Sequence, residues 1–63
     1  MDYARVLKQL REKMVVSQTE LAQKLGCSFA SVNRWENGAH EPTYKMKRKI
    51  LALCKRHGVK TEE

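Results

Sequence analysis

Apolar side chains recur at intervals of three and four along this chain, the spacing that places them on one face of a helix. In the N-terminal stretch, the recurring residues are Tyr3, Val6, Leu7, Leu10 and Met14. They predict an amphipathic helix over residues 2–13, and Asp2 is well placed at its positive N-terminal end. In the C-terminal stretch, the inward stripe comprises Met46, Ile50, Leu53, Cys54 and, as an optional member, Leu51.

Between these stretches, residues 17–38 predict two short helices joined by a tight glycine turn at Gly26. The first opens with Ser17 and Glu20 at the spacing of a capping box, in which each side chain accepts a hydrogen bond from a backbone N–H at the helix start. Ser28 is placed to cap the second helix, and Asn37-Gly38 to end it. The inward residues of this helical hairpin are Leu21, Ala22, Leu25, Val32 and Trp35.

Sixty-three residues allow one domain with a small core. The pattern predicts an all-α fold, a compact bundle of four or at most five short helices, over residues 1–58. Pro42 and Thr43 precede the last helix, Gly58 ends it, and residues 59–63 are expected to form a flexible tail. Two isolated cysteines are too few for a disulfide framework or a metal site. With no apolar run of about 20 residues and no secretory signal, we expect a cytoplasmic, nucleoid-associated protein.

Charge adds a second signal. Thirteen Lys and Arg stand against seven Asp and Glu, a net charge of +6, and residues 43–60 hold seven basic residues and no acidic one. Such an excess favours salt-dependent binding to a polyanion, although a merely solvated helix face is the alternative for any single lysine. The apolar residues are needed for the core, so membrane binding is not expected. The two histidines, His40 and His57, are predicted in a loop and at a helix end, with no cluster of ligand or catalytic residues around them, so no enzyme activity, cofactor or small-molecule substrate is expected.

The hairpin sequence also resembles a known family. The runs QTELAQKLG (residues 18–26) and SFASVNRWENG (residues 28–38), with Pro42-Thr43 after them, are similar to the XRE family of lambda-repressor-like, Cro-type helix-turn-helix domains. The resemblance covers about residues 3 to 57. It implies sequence-specific binding of double-stranded DNA by a prokaryotic or phage transcriptional regulator, expected to act as a repressor. The helix from Ser28 to Asn37 would read the major groove.

The resemblance assigns roles to individual residues. Base contacts are expected from Ser28, Phe29, Ala30 and Arg34, with Asn33 as a lesser candidate. Phosphate contacts are expected from Gln18 and Asn37 by resemblance, and from His40, Lys45 and Lys49 on charge and position. Arg34 could pair with guanine or contact a phosphate instead. Phe29 could pack on a thymine methyl group or be a partly buried residue of the hairpin. Arg11 and Glu36 match positions that form an internal ion pair in close relatives.

Two other function classes remain open at this point. One is an antitoxin-like interaction module, which would bind DNA and also mask a partner protein. The other is a DNA-targeting domain of a larger protein. Relatives usually bind palindromic operators as homodimers, but four helices leave little surface for a strong dimer contact. We therefore expect a monomer or weak dimer that pairs on DNA.

Overall fold

The structure, a computed structural model, describes residues 2–61 and contains four helices and no strand in that range. The helices are α1 (Tyr3–Met14), α2 (Gln18–Leu25), α3 (Phe29–Glu36) and α4 (Tyr44–His57). The predicted all-α helical bundle is thus confirmed, and the optional fifth helix is absent from the described range. Residues 62 and 63 of the predicted tail lie outside the described residues.

Each helix begins at a polar side chain that satisfies a free backbone N–H. Asp2, Ser17, Ser28 and Thr43 each accept a hydrogen bond from the backbone N–H three residues later. The capping box of α2 is confirmed: Ser17 Oγ accepts from the Glu20 N–H at 3.1 Å, and Glu20 Oε1 accepts from the Ser17 N–H at 2.8 Å. These caps fix where α2 and α3 start, and therefore which residues face outward.

The helix ends differ in how they are stopped. Gly26 and Gly58 adopt the left-handed conformation after α2 and α4, as glycine readily does. α1 instead ends at Val15, a branched residue held at φ 56° and 86% exposed. This conformation is unfavourable for a side chain branched at Cβ, and no burial of the Val15 side chain compensates for it.

The core is built from residues of all four helices. α3 packs against α1 and α2, and α4 packs against the same two helices. α3 contributes Val32 and Trp35 to this interior, so one side of α3 is anchored and its opposite side faces outward. The largest fully buried side chains are Leu7, Leu10, Leu21, Leu25, Val32, Ile50 and Cys54.

The C-terminal end departs from the prediction by one residue. Gly58 turns the chain back, and the Val59 N–H donates a hydrogen bond to the Cys54 carbonyl at 2.8 Å. Val59 packs on the core and is only 8% exposed. An apolar contact after a left-handed glycine is a common way to close a helix. Val59, the first residue of the predicted flexible tail, is therefore part of the packed unit.

Candidate nucleic-acid interface

The outward side of α3 is a single continuous ridge. At about 100° of rotation per residue, its outward positions fall within an arc of about 140°. Val32 and Trp35 are buried on the opposite side, and the buried Glu36 lies at the angular edge of the ridge. Of the ridge residues only Asn33 is half-buried, and the others are exposed; they are Phe29, Ala30, Asn33, Arg34 and, at the C-terminal cap, Asn37. The structure thus places four of the five residues expected to contact bases on this ridge.

The fifth of these residues, Ser28, lies at the N-terminal edge of the ridge. Its hydroxyl accepts from the Ser31 N–H at 3.2 Å and lies 3.1 Å from the Ser31 hydroxyl. Capping the helix therefore occupies much of the hydrogen-bonding capacity of the Ser28 side chain.

Phe29 has a large apolar surface in contact with solvent. It is 50% exposed and does not belong to the core cluster. The ring is also absent from the partly buried apolar residues that pack against that cluster, so half of its surface remains available to a ligand. An aromatic side chain therefore projects from the first turn of α3.

A buried carboxylate holds α3 to the two helices beneath it. Arg11 donates two hydrogen bonds to Glu36, from Nε to Oε2 at 2.7 Å and from a terminal nitrogen to Oε1 at 2.9 Å. Gln18 Nε2 donates a third, to Glu36 Oε1 at 3.0 Å. The Glu36 side chain is 2% exposed and that of Arg11 28% exposed. This group of three residues, the Glu36 cluster, joins α1, α2 and α3.

The ionisation of this cluster follows from its contacts. Burial by itself would raise the pKa of Glu36, but the hydrogen bonds from Arg11 and Gln18 and the charges of Arg11 and Lys8 outweigh it. The net pKa of Glu36 is lowered, and the pKa of Arg11 is raised chiefly by its hydrogen bond to Glu36. Both groups are therefore charged at neutral pH, as a paired buried carboxylate requires.

Gln18, an expected phosphate contact, is the first residue of α2. Its side-chain amide carries two N–H donors, of which one is used by Glu36. The second N–H remains, beside the free backbone N–H groups that every helix start presents. The position is thus suited to a phosphate oxygen, with the Gln18 side chain already oriented by the Glu36 cluster.

The other expected phosphate contacts are spread more widely. Asn37 and His40 are exposed, at the end of α3 and in the following loop, and Lys45 is exposed in the first turn of α4. The side chain of Lys49, also on α4, extends to the C-terminal end of α2, where its Nζ donates to the Leu25 carbonyl at 3.3 Å. That end is about 10 Å along α2 from Gln18. Lys49 therefore satisfies a free helix carbonyl in addition to any role toward DNA.

Lys47 has a structural role that no local sequence pattern indicates. Its Nζ contacts Glu41 Oε1 at 3.0 Å and lies 5.3 Å from the centre of the Tyr3 ring, so it joins the loop before α4 to α1. The bond between Gln18 and Glu36 was not predicted either. Neither contact has a local signal, because the partners are six or more residues apart and belong to different elements.

The remaining chemistry of the described residues is limited. No three His, Cys, Asp or Glu residues within residues 2–61 lie close enough together to hold a metal ion. Cys27 and Cys54 are free, and burial raises the pKa of both thiols, with Lys49 opposing the effect at Cys27. None of the helices in that range combines the length and the apolar character needed to cross a membrane.

Comparison with known proteins gives one match. A family model described as "Helix-turn-helix" matches residues 7–63, which contain the whole α2–α3 hairpin and α4. No curated protein and no solved structure matches the chain.

Proposed function

This chain belongs to the XRE family of lambda-repressor-like helix-turn-helix proteins, which are DNA-binding regulators of transcription, and we propose that it binds specific sequences of double-stranded DNA. In this proposal α3 lies in the major groove and the first turn of α2 lies on the phosphate backbone. The observation that carries the proposal is the outward ridge of α3, held rigid from behind by the Glu36 cluster.

Base recognition is assigned to the ridge. Arg34 is exposed and free to direct its planar guanidinium at a guanine, with which it makes a two-pronged contact. Asn33, half-buried beside it, has an amide that suits adenine. Phe29 and Ala30 supply apolar contacts one turn earlier. Ser28 contributes least to base recognition, because its hydroxyl already caps α3.

Phosphate anchoring is assigned to residues that flank the ridge. Gln18 begins α2 and donates to Glu36, and Asn37 follows Glu36 directly, so both would anchor the ridge at the C-terminal end of α3. The ammonium groups of Lys45 and Lys49 and the imidazole of His40 would extend the contact along the DNA backbone. Such contacts fix orientation without reading sequence, and they add the salt dependence expected of a protein with a net charge of +6.

The biological consequence we propose is repression by occupancy of an operator. A protein of this kind acts in the cytoplasm at the nucleoid, and two copies pair on a palindromic site with half-sites about one helical turn apart. In solution the chain is a monomer or a weak dimer.

Selection of bound duplexes from a random pool tests the proposal. We expect enrichment of a short motif, repeated in inverted orientation, and for a variant that carries Arg34→Ala we expect the motif to lose its base preference at one position of each half-site. Arg56→Ala is the matched control, because Arg56 is an exposed arginine in the last turn of α4. A pool that stays random under low salt would contradict sequence-specific binding. Enrichment of an unrepeated motif would contradict the pairing of two copies.

A further inference from the structure

The first turn of α3 differs in chemistry from the rest of the ridge. Residues 28–32 carry no charged side chain. The two hydroxyls in this turn, on Ser28 and Ser31, lie 3.1 Å apart and are engaged with each other and with the Ser31 N–H. What this turn presents outward is therefore the exposed half of the Phe29 ring and the methyl group of Ala30.

An exposed aromatic ring at this position lacks a structural explanation within the bundle. The ring is outside the core cluster, and half of its surface is in contact with water. Removing such apolar surface from water is favourable, so the ring is a ready contact surface for an apolar group on a ligand. On the base edges of the major groove there is one such group, the C5 methyl of thymine.

We propose that Phe29 is a specificity-determining residue that reads the C5 methyl group of one pyrimidine in each half-site. The proposal rests on the DNA-binding function proposed above and adds the chemical feature that is recognised. Because the ring contacts a methyl group and makes no hydrogen bond, the feature is shared by thymine and 5-methylcytosine. Binding at this position is therefore sensitive to methylation of cytosine.

The test uses the selected duplex, in which the C5 methyl group of one pyrimidine at a time is removed or added. Each thymine is replaced in turn by deoxyuridine, which removes the methyl group and keeps every hydrogen bond of the base pair. At one thymine position in each half-site, the wild-type protein should bind the thymine duplex about fourfold more tightly than the uracil duplex. This is the ratio expected from burying one methyl group. At the same position, 5-methylcytosine should bind about fourfold more tightly than cytosine.

Variants assign the effect to the ring. Phe29→Ala should reduce both ratios to less than about twofold, and Phe29→Leu should retain most of them, because leucine keeps an apolar surface. Tyr44→Ala is the matched control, since Tyr44 is an aromatic residue that is 77% exposed on another helix, and it should leave both ratios unchanged. Thermal melting of each variant verifies folding, which substitution of these exposed side chains should preserve.

Each result decides a different claim. Wild-type binding that is equal for thymine and uracil at every position overturns the reading of the methyl group and leaves the DNA-binding function standing. If Phe29→Ala keeps the wild-type ratios, another residue reads the methyl group, and the assignment to Phe29 is overturned while the DNA-binding function again stands. Failure of the wild-type protein to bind any duplex overturns the proposed function itself.

Discussion

Gln18 donates a hydrogen bond of 3.0 Å to Glu36 Oε1, which joins the first turn of α2 to the last turn of α3. Gln18 is the residue proposed to rest on a phosphate, and Glu36 is the buried carboxylate that holds α3 in place. One hydrogen bond therefore sets the distance between the proposed backbone anchor and the proposed reading helix.

Loss of the ion pair should destabilise the fold. In Arg11→Ala the Glu36 carboxylate keeps only the Gln18 hydrogen bond, and an uncompensated buried charge remains. We expect a decrease in the free energy of unfolding of about 3 kcal/mol. For a domain of this size that corresponds to a fall of roughly 12–24 °C in Tm. Thermal melts followed by circular dichroism measure it.

Arg5→Ala is the matched control for this substitution, because Arg5 lies on the same helix with an exposed side chain. Its effect on the free energy of unfolding should stay within about 0.5 kcal/mol. Equal, small effects of the two substitutions would mean that the pair between Arg11 and Glu36 adds nothing to stability.

The same cluster predicts an acid-sensitive contribution to stability. Since the pKa of Glu36 is lowered in the folded state, its contribution is fully present above the ordinary glutamate pKa and is lost as pH falls through the folded value. The difference in free energy of unfolding between wild type and Glu36→Gln should therefore be constant near neutral pH and shrink below the ordinary glutamate range. Denaturant titrations at a series of pH values measure it. A difference that grows on acidification would reverse the assigned sign.

The left-handed valine at the end of α1 offers a stabilising substitution. Val15→Gly relieves the unfavourable φ of 56° without loss of buried surface, because the side chain is 86% exposed. We expect a gain of about 1 kcal/mol in the free energy of unfolding. Val15→Ala keeps a Cβ in the same conformation and should gain less. Urea denaturation of the three proteins compares them, and no gain for glycine would argue against a left-handed residue 15.

Binding measurements should distinguish residues that contact phosphates from residues that contact bases. Arg34→Ala should relax base preference at one position of the site, at a cost of about 1–3 kcal/mol in discrimination. Gln18→Ala should weaken binding to all sequences alike, because it removes a phosphate contact. Competition titrations with a panel of single-base variants of the site give both patterns. The opposite assignment of patterns would mean that the two roles are exchanged.

Local sequence rules were sufficient to predict the four helices and most of the residues on the outward ridge of α3. Caps such as Ser17 and Ser28 lie within three residues of the N–H groups they satisfy, so they can be read directly from the chain. The hydrogen bond from Lys49 to Leu25 could not be predicted, because it joins residues 24 positions apart through a flexible side chain. The packing of Val59 was missed for a related reason: an apolar residue after a terminal glycine has no helical periodicity.

The central claim is that the ridge of α3 enters duplex DNA, and amide chemical-shift mapping during titration with the selected duplex tests it most directly. We predict that the largest shifts fall on Phe29, Ala30, Asn33 and Arg34, with smaller ones at Gln18 and Asn37, and that raising the salt concentration reverses them. Shifts confined to the C-terminal half of α4, or none at low ionic strength, would contradict the claim.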